Sequence, residues 1–237
     1  RAGLFLYDHL GGRVTLPGSR AVNLMRDAAG QSLAPSLTRG FSYWDGWVDD
    51  ARLVVLNALA AHTRGAEVLT RTPVTAIRQI AGPDGAPLWQ VSLAGAPGTG
   101  SAAASVSASN GSTAGSRTVV CRALVNAAGP WVQQVAELAA GGRAGPEVPR
   151  LRLVKGSHIV VPRIAGANDA YLFQNPDGRV VFALPFEDAF TLIGTTDERY
   201  AGDPPAASAS TAEVTYLLDL ANRVFATPLS EADVVWS

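Results

Sequence analysis

Apolar positions recur at helical spacing in three stretches of the chain. Between residues 51 and 63 they return every three or four positions, directly after Asp49 and Asp50. Aspartate at such a position can accept the free N–H groups at the start of a helix. Gly65 follows, and glycine tolerates the left-handed conformation that often ends a helix. Two further helices are predicted at residues 130–140 and 212–225.

Short runs rich in apolar and β-branched residues predict strands between these helices. The runs at 74–80 and 88–93 flank the turn sequence Pro83-Asp84-Gly85, and residues 171–184 contain a second one, Pro176-Asp177-Gly178. The remaining extended or strand-like segments are 41–48, 67–70, 118–126, 151–161 and 190–194. The pattern mixes one βαβ-like unit with meandering antiparallel strands. It predicts a two-layer α+β (mixed α/β) fold in two parts.

Residues 94–116 interrupt this pattern, because they are almost wholly Ala, Gly, Ser, Thr and Asn. Such a segment buries too little apolar surface to offset its ordering entropy, so a flexible loop is predicted. Residues 98–103 inside it match a dinucleotide-binding glycine fingerprint ending in alanine. That fingerprint needs an amphipathic helix after it and an acidic residue about 20 positions on. Neither follows, and a chance match is the better interpretation.

Composition narrows the function classes. The formal net charge of −1 lacks the basic footprint of a nucleic-acid-binding protein. Cys121 is the only cysteine, which excludes a disulfide framework and a cysteine-based zinc site, and no metal site is predicted. No apolar run reaches the length of a membrane-spanning helix. The chain starts without methionine and stops in Val234–Ser237, which resembles an unfinished strand, so both ends are expected to be cuts through a larger protein.

Three segments carry candidate chemistry. The apolar run 123–131 ends in small residues that would let a ligand approach the backbone, although an ordinary strand-to-helix turn explains it as well. In the strand-like segment 155–162, His158 has a side chain suited to taking a proton near neutral pH. A single strand histidine is more often structural than catalytic. Gly194-Thr195-Thr196-Asp197 ends a strand with two hydroxyls and a carboxylate, which suit a polyol or phosphate or simply terminate the strand.

Four motifs in ordered succession resemble the FAD-dependent glycerol-3-phosphate dehydrogenases. They are Trp47–Leu53, Leu124–Trp131, Lys155–Pro162 and Leu192–Asp197. Tyr7–Gly11 and Leu16–Pro17–Gly18 fit the same family. The resemblance covers nearly the whole chain except residues 94–116, which look like an insertion.

The resemblance implies a D-amino-acid-oxidase-like fold, in which a Rossmann-like FAD domain is interleaved with an antiparallel substrate domain. It divides this chain into the start of a substrate or cap region at 1–40, a partial FAD-binding domain at 41–148 and a truncated substrate-binding domain at 149–237. It also implies a peripheral membrane protein of glycerol metabolism, on the inner face of the cytoplasmic membrane. Exposed apolar surface left by truncation favours a homodimer.

The implied reaction moves a hydride from glycerol 3-phosphate to FAD, and electrons then pass to quinone, or to oxygen in related oxidases. His158 corresponds to the proposed base for the substrate hydroxyl, and Thr195 and Thr196 to threonines near substrate and flavin. The segments matching those that lie against FAD comprise Val74, Ala127, Ala128, Gly129, Pro130 and Trp131.

Two parts of the family pattern are absent from the sequence. The N-terminal glycine-rich fingerprint, which holds the pyrophosphate at a helix start, is missing. An Arg-Pro segment expected just after Trp236, whose arginine grips the substrate phosphate, is missing too. The chain alone is therefore expected to be inactive and to retain no stable FAD. Two alternatives stay open, an amino-acid oxidase or dehydrogenase of the same fold and a non-catalytic binding domain.

Overall fold

The structure is a computed structural model that describes residues 2–9, 16–95, 117–141 and 151–237. The chain divides into two compact units. Unit 1 comprises Arg1–Trp47 and Arg152–Ser237, and unit 2 comprises Val48–Leu151. The three-part division into 1–40, 41–148 and 149–237 remains a prediction, and the predicted loop 94–116 falls almost entirely outside the described residues.

The elements are numbered in chain order. The helices are α1 (Ala2–His9), α2 (Asp50–Thr63), α3 (Val132–Ala139) and α4 (Thr211–Val224). The strands are β1 (Arg20–Asn23), β2 (Arg39–Ser42), β3 (Val74–Ala81), β4 (Pro87–Leu93), β5 (Arg117–Cys121), β6 (Val154–Lys155), β7 (His158–Pro162), β8 (Tyr171–Gln174), β9 (Val180–Phe186), β10 (Phe190–Gly194) and β11 (Glu198–Arg199). None of the described helices has the length and apolar character needed to cross a membrane.

Unit 1 is built on a four-stranded antiparallel sheet in the order β7-β10-β9-β8. The buried apolar side chains of β7 and β10 are those of Ile159, Val160, Val161 and Ile193, and α4 packs against both strands. Its inward positions recur at helical spacing, so one stripe of α4 covers the sheet. The largest fully buried side chains of this core are those of Ile159, Val161, Val181, Ile193 and Leu217.

Two smaller pairings complete unit 1. Strands β1 and β2 form an antiparallel pair, and the segment between them reaches the end of α4 through an isolated bridge from Leu33 to Phe225. The short strands β6 and β11 pair beside the main sheet, where Lys155 lies opposite Glu198. Only Gly156 and Ser157 separate this pairing from His158, the first residue of β7.

Unit 2 contains a three-stranded antiparallel sheet in the order β3-β4-β5, with α3 packed against β3. Its core is small, with Ile77, Val91 and Leu93 buried and several neighbours half-buried, Cys121 among them. Helix α2 begins where Asp49 accepts the Arg52 N–H at 3.0 Å, as the sequence predicts. None of its residues is buried.

Most predicted elements are confirmed within one to three residues, including the three helices and the two hairpins at 74–93 and 171–186. Two strand predictions are wrong in part or in whole. Residues 67–70 form no strand in the structure. Side chains that favour extended backbone give a strand only where a neighbouring strand pairs with them, and none of the described strands pairs with this segment. Strand β5 ends at Cys121 rather than at Asn126. Cys121 pairs with Trp89, and the partner strand β4 extends only two residues beyond that pair, to Pro87, so residues 124–126 have no strand partner.

The βαβ-like reading and the extent of two segments also need correction. Every strand pair within the described residues is antiparallel, so no parallel βαβ unit occurs there. The predicted strand 151–161 is split into β6 and β7 at Gly156-Ser157. The extended segment 41–48 contributes only its first two residues to a strand.

Candidate active site

His158 and Gly194 lie opposite each other on neighbouring antiparallel strands, His158 at the start of β7 and Gly194 at the end of β10. The histidine is half-buried. A Cβ atom added at Gly194 would overlap the imidazole ring, so the glycine provides the space that the ring occupies. Burial lowers the pKa of His158 below its ordinary value, which favours the neutral imidazole near pH 7. A neutral imidazole is the form that can accept a proton.

Thr195 and Gly156 form a matching contact next to the first. A Cβ atom at Gly156 would overlap the Thr195 hydroxyl, just as one at Gly194 would overlap His158. The Thr195 hydroxyl donates to the Thr196 carbonyl oxygen at 3.0 Å and is half-buried. Two glycines on facing segments therefore leave room for the two side chains that the sequence singles out.

Thr196 is buried and held by protein partners on both sides. Its hydroxyl oxygen accepts the Ser157 N–H at 2.8 Å and donates to the Glu213 carboxylate at 2.8 Å. Thr196 therefore ties the end of β10 to the residue before His158. The structure brings His158, Thr195 and Thr196 together at the paired ends of β7 and β10.

Glu213, near the start of α4, is a buried residue that the sequence analysis did not select. One carboxylate oxygen accepts from the Ser157 and Thr196 hydroxyls at 2.9 and 2.8 Å. The other accepts from Lys155 Nζ at 2.6 Å and from the Ser210 N–H and hydroxyl at 2.8 and 2.9 Å. The pattern Ser210-x-x-Glu213 is a capping-box signature, which could have indicated the residue.

The charge state of Glu213 follows from these contacts. Burial raises the pKa of its carboxyl group, but hydrogen bonds from Lys155, the Ser210 backbone and the Thr196 hydroxyl outweigh burial. The net effect lowers the pKa to about 2. Glu213 is therefore a carboxylate at any physiological pH, and it is matched by the only lysine in the chain.

A cavity of about 440 Å³ lies beside this network. Its lining carries both signs of charge, from Lys155, Arg179, Arg199, Glu198 and Glu213. Arg179 is paired with Asp177 at 2.8 Å, and Lys155 with Glu213. His158 and Thr195 are not among the lining residues, so the cavity is not the space in front of the histidine.

The residues predicted to contact the cofactor all lie in unit 2. Val74 is exposed at the first position of β3. Ala127 to Trp131 form a turn that leads through a short 3-10 helix into α3, with Gly129 at a φ of 54°. The Asn126 side chain fixes this turn by accepting the Ala128 N–H at 3.3 Å and donating to the Val132 carbonyl at 2.8 Å.

This turn has the properties that a dinucleotide cofactor needs from backbone it approaches closely. Ala127 and Gly129 are exposed, and nothing lies within 4 Å of the position a Gly129 Cβ would take. Small side chains on an open turn let a ligand reach the main chain. The cofactor assignments for Val74 and residues 127–131 remain predictions. Within the described part of the chain, no three His, Cys, Asp or Glu side chains gather as they would around a metal ion.

Comparison with known proteins gives consistent matches along the chain. A family model described as FAD dependent oxidoreductase matches residues 11–237. Aerobic glycerol-3-phosphate dehydrogenase of Escherichia coli (strain K12) is 44% identical over 237 residues, covering 100% of this chain and 42% of the relative. D-erythritol 1-phosphate dehydrogenase of Brucella abortus (strain 2308) is also 44% identical, covering 100% of this chain and 43% of the relative.

A solved structure agrees with these sequence matches. The glycerol-3-phosphate dehydrogenase from Bacillus halodurans, complexed with FAD, superimposes with a TM-score of 0.68 at 26% identity, covering 90% of this chain and 39% of that one. The predicted resemblance and the D-amino-acid-oxidase-like fold are confirmed. The chain spans about two fifths of the length of the curated relatives it matches.

Proposed function

The chain belongs to the FAD-dependent oxidoreductase family, and from this premise we propose that it is the central part of an enzyme that oxidises sn-glycerol 3-phosphate to dihydroxyacetone phosphate. The observation that carries the proposal is that the His158 ring packs over Gly194, the neighbour of Thr195, while the Thr195 hydroxyl packs over Gly156. This arrangement lies in a chain whose relatives include glycerol-3-phosphate dehydrogenases. Oxidation of a secondary alcohol needs a group that takes the hydroxyl proton, and His158 is suited to that role.

In this proposal, unit 2 contributes contacts to the cofactor, and unit 1 contributes the side chains that act on the substrate. Bound FAD would supply the acceptor for the hydride that leaves the substrate carbon. Val74 and the open turn from Ala127 to Trp131 would hold part of the cofactor, because the small side chains allow close approach. In unit 1, the neutral imidazole of His158 accepts the proton of the substrate hydroxyl. Thr195 lies beside it as the proposed contact to substrate and flavin. Thr196 is proposed for the same contacts through its main chain, because its hydroxyl is already bound to Ser157 and Glu213.

A His158→Ala variant tests the base assignment in the complete polypeptide that carries this chain, loaded with FAD. Turnover of glycerol 3-phosphate with an artificial electron acceptor is expected to fall by about 10²- to 10⁴-fold while flavin content is kept. His62→Ala, which removes an exposed histidine of α2, is the matched control and keeps its activity. Unchanged turnover in His158→Ala would show that His158 is not the base and has a structural role instead.

The pH dependence gives a second test of the same assignment. The ordinary pKa of a histidine is about 6.5, and burial lowers the pKa of His158 below that value. The imidazole therefore stays mostly neutral until the pH falls below about 6.5. The rate of flavin reduction is expected to be flat at pH 7 and to decline only below pH 6.5. A decline that sets in well above pH 7 would contradict this assignment.

A second substrate candidate has equal support from sequence identity. The chain is as similar to the D-erythritol 1-phosphate dehydrogenase as to the aerobic glycerol-3-phosphate dehydrogenase. Both substrates are polyol phosphates, so the same His158 chemistry serves either. Comparison of kcat/KM for the two phosphates distinguishes them, with glycerol 3-phosphate expected to be preferred. Turnover of an amino acid instead of either phosphate would overturn both candidates.

The electron acceptor and location are part of the proposal. We propose quinone as the acceptor, and a peripheral position on the inner face of the cytoplasmic membrane. The name of one relative, aerobic glycerol-3-phosphate dehydrogenase, supports a respiratory acceptor. Reduction of quinone in liposomes, without equivalent hydrogen peroxide formation in air, is the expected result. Stoichiometric peroxide would favour oxygen.

Exposed apolar side chains such as Trp47 favour a homodimer, which light scattering would detect.

The isolated 237-residue chain is proposed to retain no stable FAD and to be inactive. The support is that it spans about two fifths of the length of its curated relatives, and that its sequence lacks the glycine-rich fingerprint that the family resemblance leads us to expect. The purified chain is therefore expected to be colourless. Flavin absorbance near one equivalent per chain would contradict this expectation.

A further inference from the structure

Glu213 connects the two strand ends that carry the proposed active-site residues. Its first carboxylate oxygen accepts from Ser157, the neighbour of His158, and from Thr196, the neighbour of Thr195. Glu213 is 4% exposed, and Ser157 and Thr196 are buried with it. A single side chain of α4 therefore reaches the residues adjacent to both His158 and Thr195.

The capping role of Glu213 does not account for these contacts. A capping box uses one side-chain acceptor at this position, and glutamine serves as well as glutamate. Here Ser210 and Lys155 occupy only the second carboxylate oxygen. The first oxygen is directed at the strand ends, and a helix cap alone would not require it.

The link matters because the space around His158 is narrow. The imidazole ring lies over Gly194, and the Thr195 hydroxyl lies over Gly156, so each side chain depends on the position of the facing segment. A shift between the Gly156–Ser157 segment and the end of β10 would disturb both contacts. Ser157 and Thr196 are the residues that Glu213 holds together, and the Ser157 N–H also binds Thr196 Oγ1 at 2.8 Å.

We propose that Glu213 is a positioning residue, which holds the Ser157 and Thr196 segments in register so that His158 and Thr195 keep their orientation toward the substrate. The inference rests on the proposed function for its chemistry and on the hydrogen bonds of unit 1 for its geometry. Glu213 does not touch the reacting atoms. It acts through Ser157 and Thr196.

The variant Glu213→Gln separates the cap from the strand link. Lys155 and the Ser210 N–H can only donate, so they hold the amide oxygen on their side. The NH2 group then faces Ser157 and Thr196, where the carboxylate oxygen had accepted two bonds. The capping box survives, and the connection to the strand ends is reversed. Asp219→Asn neutralises an exposed carboxylate of the same helix and is the matched control.

The first experiment measures the rate of flavin reduction by glycerol 3-phosphate, without oxygen, in the FAD-loaded complete polypeptide. Glu213→Gln is expected to lower this rate by about 10- to 100-fold with flavin content kept, because a misplacement of about 1 Å can cost 10²-fold. Asp219→Asn is expected to match the wild type. In the His158→Ala background, Glu213→Gln is expected to cause a clearly smaller further loss, because only the orientation of Thr195 is then left to disturb. An unchanged rate in the single variant, or a full further loss in the double variant, would overturn the proposal.

Two additions keep the test decisive if a variant or the substrate fails. Ser157→Ala removes one donor to Glu213 and leaves the Lys155–Glu213 ion pair in place. If Glu213→Gln does not fold, Ser157→Ala is expected to show about a 3- to 10-fold loss. Histidine side-chain NMR follows the His158 ring directly. One ring environment in the wild type and an altered one in Glu213→Gln would support positioning, and an unaltered one would refute it. A wild type inactive on glycerol 3-phosphate removes the proposed function, and the NMR result then decides the positioning role alone.

Discussion

Helices α2 and α4 have the same length and similar caps but opposite environments. Each has 14 residues and begins after a side chain that accepts a backbone N–H, Asp49 for α2 and Ser210 for α4. Five residues of α4 are buried, whereas none of α2 is. The apolar residues of α4 form one stripe, but those of α2 include Leu53, Val54 and Val55 in succession, all of them exposed.

The comparison of α2 with α4 shows that the caps determine where a helix begins and ends. The arrangement of its apolar residues determines whether the helix packs against the rest of its unit. A helix that is apolar on several sides is typical of a buried position. The described residues bury no side chain of α2, so its apolar residues contribute little to the stability of the chain as it stands. The following predictions test this contrast, beginning with the largest expected effect.

Leu217→Ala should cause the largest loss of stability. Leu217 is fully buried between α4 and the sheet of unit 1, so the substitution removes buried apolar area and leaves a cavity. The free energy of unfolding is expected to fall by about 2–5 kcal/mol. Urea denaturation followed by circular dichroism measures it. A loss below about 1 kcal/mol would mean that α4 is not anchored by this stripe.

Glu213→Gln should cause a smaller loss that depends on pH. The pKa of Glu213 in the folded state is lowered to about 2, so its ionised form stabilises the fold above the unfolded-state pKa of about 4.3. That stabilisation is lost as the pH falls from the unfolded-state value toward 2. The difference between wild type and variant is therefore expected to shrink between pH 5 and pH 3. A difference independent of pH would contradict the ionised network.

Ser210→Ala should cost about 1 kcal/mol, because it removes the capping box at the start of α4. Asp49→Ala removes the corresponding cap of α2. Its effect on unfolding of unit 1 is expected to be smaller, since α2 lies in unit 2 and buries nothing. Urea unfolding of both variants, measured side by side, gives the comparison. Equal losses would indicate that the two helices are anchored alike.

Leu59→Ala in α2 should have the smallest effect, within about 0.5 kcal/mol, because Leu59 is 53% exposed. It is the counterpart of Leu217→Ala with the same chemical change. Hydrogen exchange provides an independent measure, with α2 amides expected to exchange far faster than those of α4. Slow exchange in α2 would show that this helix is covered in solution.

Local patterns in the sequence predicted much of the fold. The hairpins at 74–93 and 171–186 were predictable because turn residues and β-branched runs are adjacent along the chain. Strand β1 and helix α1 were not predicted, and only the last two residues of β2 were, because residues 1–40 give mixed signals between turns. The end of β5 depended on its partner strand, which periodicity in one segment does not reveal.

The candidate site was only half predictable. His158, Thr195 and Thr196 were identified by motif, but the reasons for their placement are contacts across the fold. Gly194 and His158 are 36 positions apart, and Lys155 and Glu213 are 58 apart. A sequence shows that a glycine is present. It does not show which side chain occupies the space that the glycine leaves.

The solitary lysine gives the chain a built-in chemical probe. Lys155 carries the only ε-amine in the sequence. Its side chain is 17% exposed, and the amine is held by Glu213 and the Ser208 carbonyl. An amine-reactive dye would therefore attach at one side chain, apart from the N-terminus of the polypeptide. Its attachment rate would report how often the ammonium leaves the carboxylate. Labelling chemistry could thus time the opening of this buried ion pair without the introduction of any foreign residue.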